Sequence, residues 1–248
     1  LTMGSDFDLV FHCAAVVGGR KNIEGNPLSI ATNLSIDSEF FRWCMAAPPR
    51  RVVYFSSSAV YATSLQTRDM HVALNEGLMT FTGTRLGMPD QTYGWSKMTG
   101  EYLMQHAVAG GLQCVCYRPF SGYGEDQDFS YPFPSIIQRI GRGDDPIEIW
   151  GSGDQVRDFI HIDDIVETVF ATCVKMTPGE RLNLGTGRGV NFKQLVRIAK
   201  REIGQPGRIK TNPRAPEGVF SRVADIYALK RYRAPRISLE EGIRRVHA

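Results

Sequence analysis

Short apolar runs that alternate with helix-like segments are the feature that most constrains how this chain folds. Each run has the length of a buried strand, is rich in β-branched or aromatic residues, and is followed by small or polar residues. Strands that alternate with helices pair in parallel through right-handed crossovers. The first half of the chain therefore predicts an α/β fold with a doubly wound parallel sheet. The predicted strands are 8–15, 51–55 and 112–117, and the predicted helices between them are 27–46 and 92–109.

The chain after residue 120 is less regular and predicts a smaller second lobe built on the same sheet. The polar segment between residues 62 and 90 is expected to be a loop. The composition, 42% hydrophobic and 22% charged, is that of an ordinary globular protein with a well-packed core. The predicted strands of the second half are 147–150, 158–161 and 181–184, and its predicted helices are 162–175, 191–203 and 238–246.

The charge balance and the cysteines limit the class of protein. With 29 Lys and Arg against 26 Asp and Glu, the net charge of +3 is too small to favour binding to nucleic acid or to an acidic membrane. No long apolar run and no signal-peptide pattern occurs, so neither a membrane span nor a leader is expected. Five cysteines without a C-x-x-C spacing predict free thiols in a reducing, cytoplasmic setting. The histidines lack ligand spacing, so no metal site is expected.

Tyr93 and Lys97 are the strongest chemical signal in the sequence. Their spacing places both side chains on one face of the predicted helix 92–109. Alone, a Tyr and a Lys at this spacing carry little information. Here, however, the serines at 56–58 follow a predicted parallel strand, and ligands in open α/β sheets bind where such strands end. Another distinctive loop, residues 118–124, follows the next strand.

Taken together, these segments resemble the extended short-chain dehydrogenase/reductase family, in its nucleotide-sugar epimerase/dehydratase branch. The resemblance implies a Rossmann-like domain in residues 1–120 that binds NAD, with NADP less expected. It also implies a homodimer, and a lobe in residues 121–248 that mainly binds a nucleotide-diphosphate sugar, with some segments that return to the sheet. The further segments that carry the resemblance are 10–15, Asn33, 151–164, 182–187, 222–225 and 238–243.

One part of the family pattern has no counterpart in this sequence. The family begins with a strand, a glycine-rich turn and a helix that hold the cofactor pyrophosphate, whereas residue 1 corresponds to a point just before the family's fourth strand. Gly18 and Gly19 lack the spacing of that turn. Two explanations stay open: the sequence is part of a longer chain, or the protein is naturally shortened and no longer binds the cofactor. In the second case it is a non-catalytic module for sugar-nucleotide binding or dimerisation.

Tyr93 is the candidate acid and base, and the resemblance gives Ser57 and Lys97 as its catalytic partners. A free tyrosine has a pKa of about 10 and base catalysis is most efficient at about 7, a difference of about 4 kcal/mol. One ammonium at about 4 Å contributes about 4 kcal/mol at an effective dielectric constant of about 20. We therefore expect Lys97 to lower the pKa of Tyr93 enough for catalysis. By resemblance, Ser57 hydrogen-bonds the reacting sugar oxygen, and Lys97 also binds the nicotinamide ribose.

The resemblance also implies which residues bind the cofactor and the substrate. Arginine binds phosphate oxygens through paired hydrogen bonds, so Arg157 and Arg222 are the candidates for the diphosphate, with surface salt bridges as the alternative. Trp150 is expected near the nucleotide base or in packing, and His12 near the cofactor or in the core. The implied cofactor residues are His12, Ala14, Ala15, Asn33, Phe55, Ser56, Tyr93, Lys97, Pro119 and Phe120. The implied substrate residues are Gly18, Ser58, Ser121, Trp150, Arg157 and Arg222.

The residues after Ser57 narrow the reaction. In the resembled family, 4,6-dehydratases carry an Asp-Glu pair there, decarboxylases a Glu and 3,5-epimerising enzymes a Cys, whereas this chain has Ser58 and Ala59. Those reactions are therefore disfavoured. The remaining chemistry needs only Ser, Tyr, Lys and a nicotinamide, and we expect 4-epimerisation through a transient 4-keto sugar. Reduction of a 4-keto sugar and the non-catalytic module are the alternatives.

Overall fold

The computed structural model describes residues 6–19, 25–82 and 86–248, and a four-stranded parallel sheet with helices on both faces forms its centre. The strands in chain order are β1 (Val10–His12), β2 (Val52–Phe55), β3 (Ala73–Leu74), β4 (Cys114–Pro119), β5 (Ser121–Tyr123), β6 (Ile147–Trp150), β7 (Val156–His161), β8 (Arg181–Leu184), β9 (Gly189–Asn191), β10 (Ile209–Asn212) and β11 (Ser221–Ala224). The helices are α1 (Ile30–Ala46), α2 (Gln91–Ala109), α3 (Pro132–Gly141), α4 (Ile162–Thr172), α5 (Phe192–Ile203), α6 (Tyr227–Lys230) and α7 (Leu239–His247).

The central sheet has the order β1-β2-β4-β8, and each of its pairs is parallel. Successive residues of β2 point to opposite faces. Tyr54 packs with Phe41 of α1 and Met104 of α2 on one face, and Val53 packs with Val169 of α4 on the other. Because both faces are buried, the strand is apolar without interruption. The predicted doubly wound parallel sheet is confirmed.

The predicted elements of the first half are present, with ends that shift by a few residues. The predicted helix 27–46 is a 3-10 turn over Pro27–Ser29 followed by α1. The last predicted strand begins and ends two residues later than expected, so that Arg118 lies within β4 rather than after it. The helix α2 ends at Ala109 with Gly110 as its C-cap, and Gly111 then takes the left-handed backbone (φ 103°) that glycine adopts without strain.

The second half contains the predicted helices as α4, α5 and α7, and the predicted strands as β6, β7 and β8. Asn191 and Gln194 form a capping box at the start of α5, and Gly204 ends it in the left-handed conformation. β8 pairs with β4 and so belongs to the central sheet. α3 was not expected, because Pro132 and Pro134 resemble helix breakers. Both prolines lie in its first turn, where backbone N–H groups make no hydrogen bond within the helix, so the lack of an N–H costs nothing there.

The other strands build a lobe beside the central sheet. One sheet has the order β3-β11-β7-β5, with β9 antiparallel to β7, and β10 pairs with β6 in a separate two-stranded sheet. The helices α3, α5 and α7 pack on this lobe through Ile137, Leu195 and Ile243, which are fully or almost fully buried. In the described part of the chain, no helix is both long enough and apolar enough to cross a membrane.

Candidate active site

Ser57 lies just after β2, where the carboxyl end of the sheet meets α2. Its backbone is extended, and its Oγ accepts a hydrogen bond from the backbone N–H of Ala59 at 3.1 Å. This bond caps the short 3-10 helix Ser58–Val60. The Ser57 side chain also hydrogen-bonds the side chain of Tyr93. The end of β2 therefore holds the predicted catalytic hydroxyl beside the predicted acid and base.

The first turn of α2 is held against the serine loop, and this contact brings Tyr93 to Ser57. Asp90 donates its backbone N–H to the carbonyl oxygen of Ala59 at 2.8 Å. Gly94 faces the same oxygen so closely that a Cβ at this position would lie 2.5 Å from it. The close approach of helix and loop therefore requires glycine at this position.

Lys97 lies one helical turn after Tyr93 and is only 4% exposed. Its Nζ donates to the carbonyl oxygen of Phe55 at 2.9 Å and lies 5.3 Å from the centre of the Tyr54 ring. Burial lowers the pKa of Lys97 because it disfavours the ammonium, and the carboxylate of Asp37 opposes this effect. The predicted pair is thus present, with the lysine anchored at the end of β2.

The expected lowering of the pKa of Tyr93 by Lys97 is wrong for this structure. Burial raises the pKa of Tyr93, the Tyr131 phenol raises it further, and the hydrogen bond from Ser57 lowers it only in part. The ammonium of Lys97 instead donates to the carbonyl oxygen of Phe55. Tyr93 is therefore a protonated phenol at neutral pH, which makes it a proton donor before it can act as a base.

The loop after β1 is held by Asn33 through two hydrogen bonds. Asn33 Oδ1 accepts the backbone N–H of Val16 at 2.6 Å, and its Nδ2 donates to the Val16 carbonyl at 3.0 Å. Ala14 is exposed and Ala15 partly exposed in this loop. Val16 and Val17 expose 42% and 59% of their surface, which is unusual for valine. The loop therefore presents a small apolar surface at the carboxyl ends of the strands.

Some side chains implied at the cofactor are turned into the protein instead. His12 is buried, with Nε2 2.8 Å from Asp37 Oδ1. The Ser56 hydroxyl donates to Glu101 Oε1 at 2.5 Å beneath α2, so its side chain serves helix packing. Phe120 is 7% exposed and packs in a core cluster. The side chains of these three residues are therefore buried in the protein and are not displayed at its surface.

Arg157 of β7 and Arg222 of β11 occupy paired positions in the parallel register of these strands. Paired residues of neighbouring strands share a face of the sheet, so both side chains leave the same face, although their guanidinium groups contact different partners. Arg222 binds Asp90 Oδ2 at 2.8 Å and Gln66 Oε1 at 2.7 Å, and Arg157 donates to the Glu217 carbonyl at 3.5 Å. The Arg222 and Asp90 side chains are 13% and 16% exposed. Their ion pair is therefore largely buried, unlike the surface salt bridge of the alternative interpretation.

The other predicted substrate residues lie in three separate elements, the loop after β1, β5 and β6. Gly18 is partly exposed and precedes Gly19, whose N–H donates to Ser130 Oγ at 3.4 Å. This contact joins the loop after β1 to the segment before α3. Ser121 begins β5 and is partly exposed. Trp150 is 38% exposed at the end of β6, in the separate two-stranded sheet.

Two residues that sequence reasoning missed lie at the site. Asp37 is 2% exposed, and one signal could have revealed it, because Asn33, Asp37 and Phe41 form a stripe at helical spacing that faces the core. A carboxylate in such a stripe needs partners. Tyr131, which raises the pKa of Tyr93, directly precedes α3, a helix that was not predicted, and had no sequence signal. Among the described residues, no three His, Cys, Asp or Glu side chains are grouped as a metal site requires.

The comparison with protein families agrees with this arrangement. A family model described as the NAD dependent epimerase/dehydratase family matches residues 2–185. The chain belongs to the NAD-dependent epimerase/dehydratase family. The family is one of enzymes, and the extended short-chain dehydrogenase/reductase resemblance is thereby confirmed, together with its Rossmann-like α/β fold.

Relatives of this epimerase/dehydratase chain include proteins of both expected reactions. A dTDP-4-dehydro-6-deoxy-D-allose reductase of a Streptomyces species is 27% identical over 232 residues, which cover 90% of this chain and 68% of the relative. The solved structure of MoeE5 with UDP-glucuronic acid and NAD is 28% identical, with a TM-score of 0.82, and the match covers 97% of this chain and 78% of that one. A UDP-glucose 4-epimerase of Thermotoga maritima shares the fold at 22% identity, with a TM-score of 0.83 and coverage of 97% and 76%.

The residues present fit the nicotinamide end of the cofactor that the family uses. An ammonium has three hydrogens to donate. The structure gives one of those of Lys97 to Phe55, which leaves donors for a ribose hydroxyl. The exposed valines of the loop after β1 offer apolar contact for the ring, and Pro119 lies partly buried at the end of β4. These residues would hold the group at the strand ends, as expected for a sheet of this type.

Proposed function

We propose that this chain is an NAD-dependent nucleotide-sugar 4-epimerase that works by hydride transfer through a transient 4-keto sugar. The observation that carries the proposal is the joint placement of Ser57, Tyr93 and Lys97 at the carboxyl ends of the parallel strands. Bound NAD supplies the acceptor and donor of the hydride. The chain's own groups have to hold the sugar oxygen and move its proton.

Ser57 and Tyr93 divide this work. The Ser57 hydroxyl is fixed by the Ala59 N–H and lies beside the Tyr93 phenol, so both can contact one sugar oxygen. Tyr93 donates its proton when a keto oxygen becomes a hydroxyl and removes that proton in the reverse direction. The raised pKa of Tyr93 must therefore fall when the substrate is oxidised, and a positively charged nicotinamide ring near the phenol would act in that direction.

The surroundings of Ser57 support simple hydride chemistry over elimination. Ser58 is 4% exposed and Ala59 is 5% exposed, and neither carries a carboxylate. A 4,6-dehydration requires an acid at this place to remove water, by resemblance to the family. The buried Ser58 is also a poor substrate ligand through its side chain. What remains at the site can hold and move the proton of a sugar oxygen, while a bound nicotinamide would accept and return the hydride of its carbon.

The substrate in this proposal is a nucleotide-diphosphate sugar, with Arg157 and Arg222 as the residues that bind the diphosphate. Their paired register and the bidentate geometry of guanidinium support this assignment. The proposal includes NAD rather than NADP, and a homodimer. It also includes a cytoplasmic location, which the five free cysteines support, since none forms a disulfide bond.

Reduction of a nucleotide-4-keto-sugar is the second candidate. Two observations favour it: the pKa of Tyr93 is raised, which suits a proton donor, and a relative that is 27% identical is named as a 4-keto-sugar reductase. The two reactions use the same residues and differ in the fate of the cofactor. An epimerase regenerates its cofactor in every turnover, whereas a reductase consumes it.

The test uses protein expressed from its whole coding region. The purified protein is denatured, and any released nucleotide is identified by chromatography. UDP-, GDP- and dTDP-hexoses are then supplied without added cofactor, and the 4-epimers are quantified. In a separate assay, nucleotide-4-keto-sugars are supplied with NADH or NADPH, and oxidation of the cofactor is followed. Conversion without net cofactor oxidation supports the epimerase. Oxidation of one NADH or NADPH for each 4-keto sugar supports the reductase, and absence of both activities and of bound nucleotide supports the non-catalytic module.

A further inference from the structure

A buried carboxylate lies beneath the predicted catalytic lysine. Asp37 of α1 is 2% exposed and accepts hydrogen bonds on both of its oxygens. His12 Nε2 lies 2.8 Å from Oδ1, and the Tyr54 hydroxyl donates to Oδ2 at 2.7 Å. A carboxylate has no proton to give at neutral pH, so the imidazole is the donor in the first contact. Asp37 thus joins the ends of β1 and β2 from the helix that packs on them.

The two side chains that contact Asp37, His12 and Tyr54, are closely packed by neighbouring residues. The ring of Phe40 stacks on the His12 ring with centroids 3.9 Å apart and an angle of 4° between the planes. On the other side, Gly100 of α2 lies so close that a Cβ would be 1.8 Å from the Tyr54 hydroxyl and 2.5 Å from Asp37 Oδ2. The helix that carries Tyr93 and Lys97 can therefore pack this closely against Tyr54 and Asp37 only because residue 100 is a glycine.

Among the residues that the structure describes, Asp37 is the carboxylate that acts most strongly on Lys97. The Tyr54 ring separates them, with Lys97 Nζ 5.3 Å from its centre. The other titratable groups near Lys97 are Cys13 after β1, Cys116 of β4 and Tyr54 of β2. Burial raises the pKa of both thiols and of the Tyr54 phenol, so all three are neutral at pH 7. Asp37 raises the pKa of Lys97 against the effect of burial.

The helix of Lys97 adds no competing charge. Tyr93 is a phenol at neutral pH, and Glu101 is balanced by Arg118 and Arg181 at 2.7 Å and 2.8 Å. An ammonium that is almost fully buried needs a counter-charge or loses its proton. In the structure, that counter-charge comes from α1.

We propose that Asp37 is a positioning residue of the active site, which fixes His12 and Tyr54 beneath Lys97 and supplies the negative charge that keeps the Lys97 side chain an ammonium. The consequence for catalysis rests on the proposed function, because it assumes that Lys97 works as a cation beside Tyr93. The electrostatic relationship itself does not depend on any activity.

Competitive acylation of lysines measures the relationship without substrate. The wild-type chain is treated with a trace of acetic anhydride between pH 6 and pH 11, and peptide mass spectrometry gives the labelled fraction of Lys97 at each pH. Asp37→Asn retains an oxygen for Tyr54 but removes the charge. We expect the titration of Lys97 to move down by about one pH unit or more, the lower end of the effect of a neighbouring opposite charge. At a pH below both values, the neutral fraction then rises about tenfold.

Two further variants distinguish the effect of the Asp37 charge on Lys97 from a general effect of substitution in α1. Asp37→Glu keeps the charge, and we expect it to restore the Lys97 titration toward that of the wild type. Glu39→Gln removes a charge from the same helix at an exposed position, 67% exposed in its side chain, and is expected to leave Lys97 unchanged. Melting curves followed by circular dichroism show which variants fold. An unchanged Lys97 titration in folded Asp37→Asn overturns the proposal.

The wild-type protein also tests the proposal if Asp37→Asn does not fold. Lys97 must then be mostly an ammonium at pH 7.5, and a Lys97 that is already mostly neutral at this pH overturns the proposal. If the chain is active, Asp37→Asn is expected to move the alkaline limb of the pH–rate profile to lower pH, and Asp37→Glu to move it back. An inactive chain with the expected labelling contradicts only the proposed function, and an active chain with unchanged labelling contradicts only the role of Asp37.

Discussion

Glu101 of α2 and Arg118 of β4 form an ion pair in which neither side chain has any exposed surface. Arg118 donates from Nε and Nη2 to the two carboxylate oxygens at 2.8 Å and 2.7 Å. Glu101 also accepts from Ser56 and Arg181, so its oxygens are fully used. The pair fixes the helix that carries the predicted catalytic residues to the sheet whose edge holds Ser57.

Removing one partner of this pair is expected to destabilise the fold strongly. In Arg118→Met the Glu101 carboxylate loses its bidentate partner inside the protein, and breaking buried pairs costs about 3–5 kcal/mol. The free energy of unfolding in urea measures the loss. Arg42→Met, which removes an exposed ion pair with Glu39, is the control and should cost less than about 1 kcal/mol. Equal effects of the two substitutions would contradict the structural role of Arg118.

The same pair gives the stability a defined dependence on pH. Burial alone raises the pKa of Glu101, but the charges and hydrogen bonds of Arg118 and the charge of Arg181 outweigh it, so the pKa is lowered overall. A lowered pKa contributes stability that is present above the ordinary pKa of glutamate and is lost as pH falls through the lowered value. We expect Glu101→Gln to lose stability at pH 7 and to lose less on acidification than the wild type. Urea unfolding at pH 7 and at pH 4 measures the difference.

The central sheet could be predicted because its strands are uniform in character. Residues 52–55 and 114–117 are apolar at every position, as strands buried on both faces require, and this pattern has few other structural solutions. The lobe was harder to predict. β11 begins with Ser221 and Arg222 and has no apolar run, since its pairing with β7 and β3 defines it. Such short strands depend on neighbours that are distant in the sequence.

The candidate site, like the fold, could be predicted only in part from the sequence. Spacing and position relative to the strands indicated Tyr93, Lys97 and the serines after β2, and the resemblance to the family selected Ser57 among those serines. In the structure, Ser57 hydrogen-bonds Tyr93, and Lys97 lies one helical turn further along α2. Their electrostatics were not predictable, because the pKa of Tyr93 depends on its burial and on Tyr131, and neither follows from helical spacing. Asp37 was missed because a single acid within a helix is ordinarily solvated. Its place in the stripe with Asn33 and Phe41 indicates the core-facing side of α1, and the packing of α2 on α1 shows that it is buried.

Replacement of Tyr93 tests the assignment of the acid and base. We expect Tyr93→Phe to lower turnover by about 10²–10⁴-fold, the usual contribution of a positioned proton-transfer group. Its ring is kept, so the melting temperature should stay close to that of the wild type. Tyr102→Phe, at a 47% exposed position of the same helix, is the matched control and should retain full activity. A Tyr93→Phe protein with wild-type turnover on the identified sugar nucleotide would assign the proton transfer elsewhere.

Ser57 should control the pH dependence through Tyr93. Burial raises the pKa of Tyr93 and the Ser57 hydrogen bond lowers it, so Ser57→Ala is expected to raise the pKa of Tyr93 further. The limb of the pH–rate profile that reports deprotonation of Tyr93 should then move to higher pH, in addition to a fall in turnover. Ser35→Ala on the exposed face of α1 is the control and should leave the profile in place. A shift to lower pH would show that Ser57 favours the neutral phenol.

Arg222 should discriminate between substrate binding and a purely structural role. A charged hydrogen bond contributes about 1.5–3 kcal/mol, so Arg222→Met should weaken the binding of the correct nucleoside diphosphate by about tenfold or more. Arg222→Lys keeps the charge but lacks the planar guanidinium, so its affinity for the nucleoside diphosphate should lie between those of the wild type and Arg222→Met. Calorimetric titration with UDP, GDP and dTDP measures the dissociation constants, with Arg197→Met at an exposed position of α5 as the control.

The ion pair of Arg222 with Asp90 allows a second test of the role of Arg222 in substrate binding. Asp90 lies directly before α2, and the diphosphate would compete with its carboxylate for Arg222. Asp90→Asn is therefore expected to tighten the binding of the nucleoside diphosphate while it lowers the stability of the free protein. If Arg222 only ties the lobe to α2, Arg222→Met will lower the melting temperature as Asp90→Asn does and leave every dissociation constant unchanged. That result would remove the arginine pair from the substrate site.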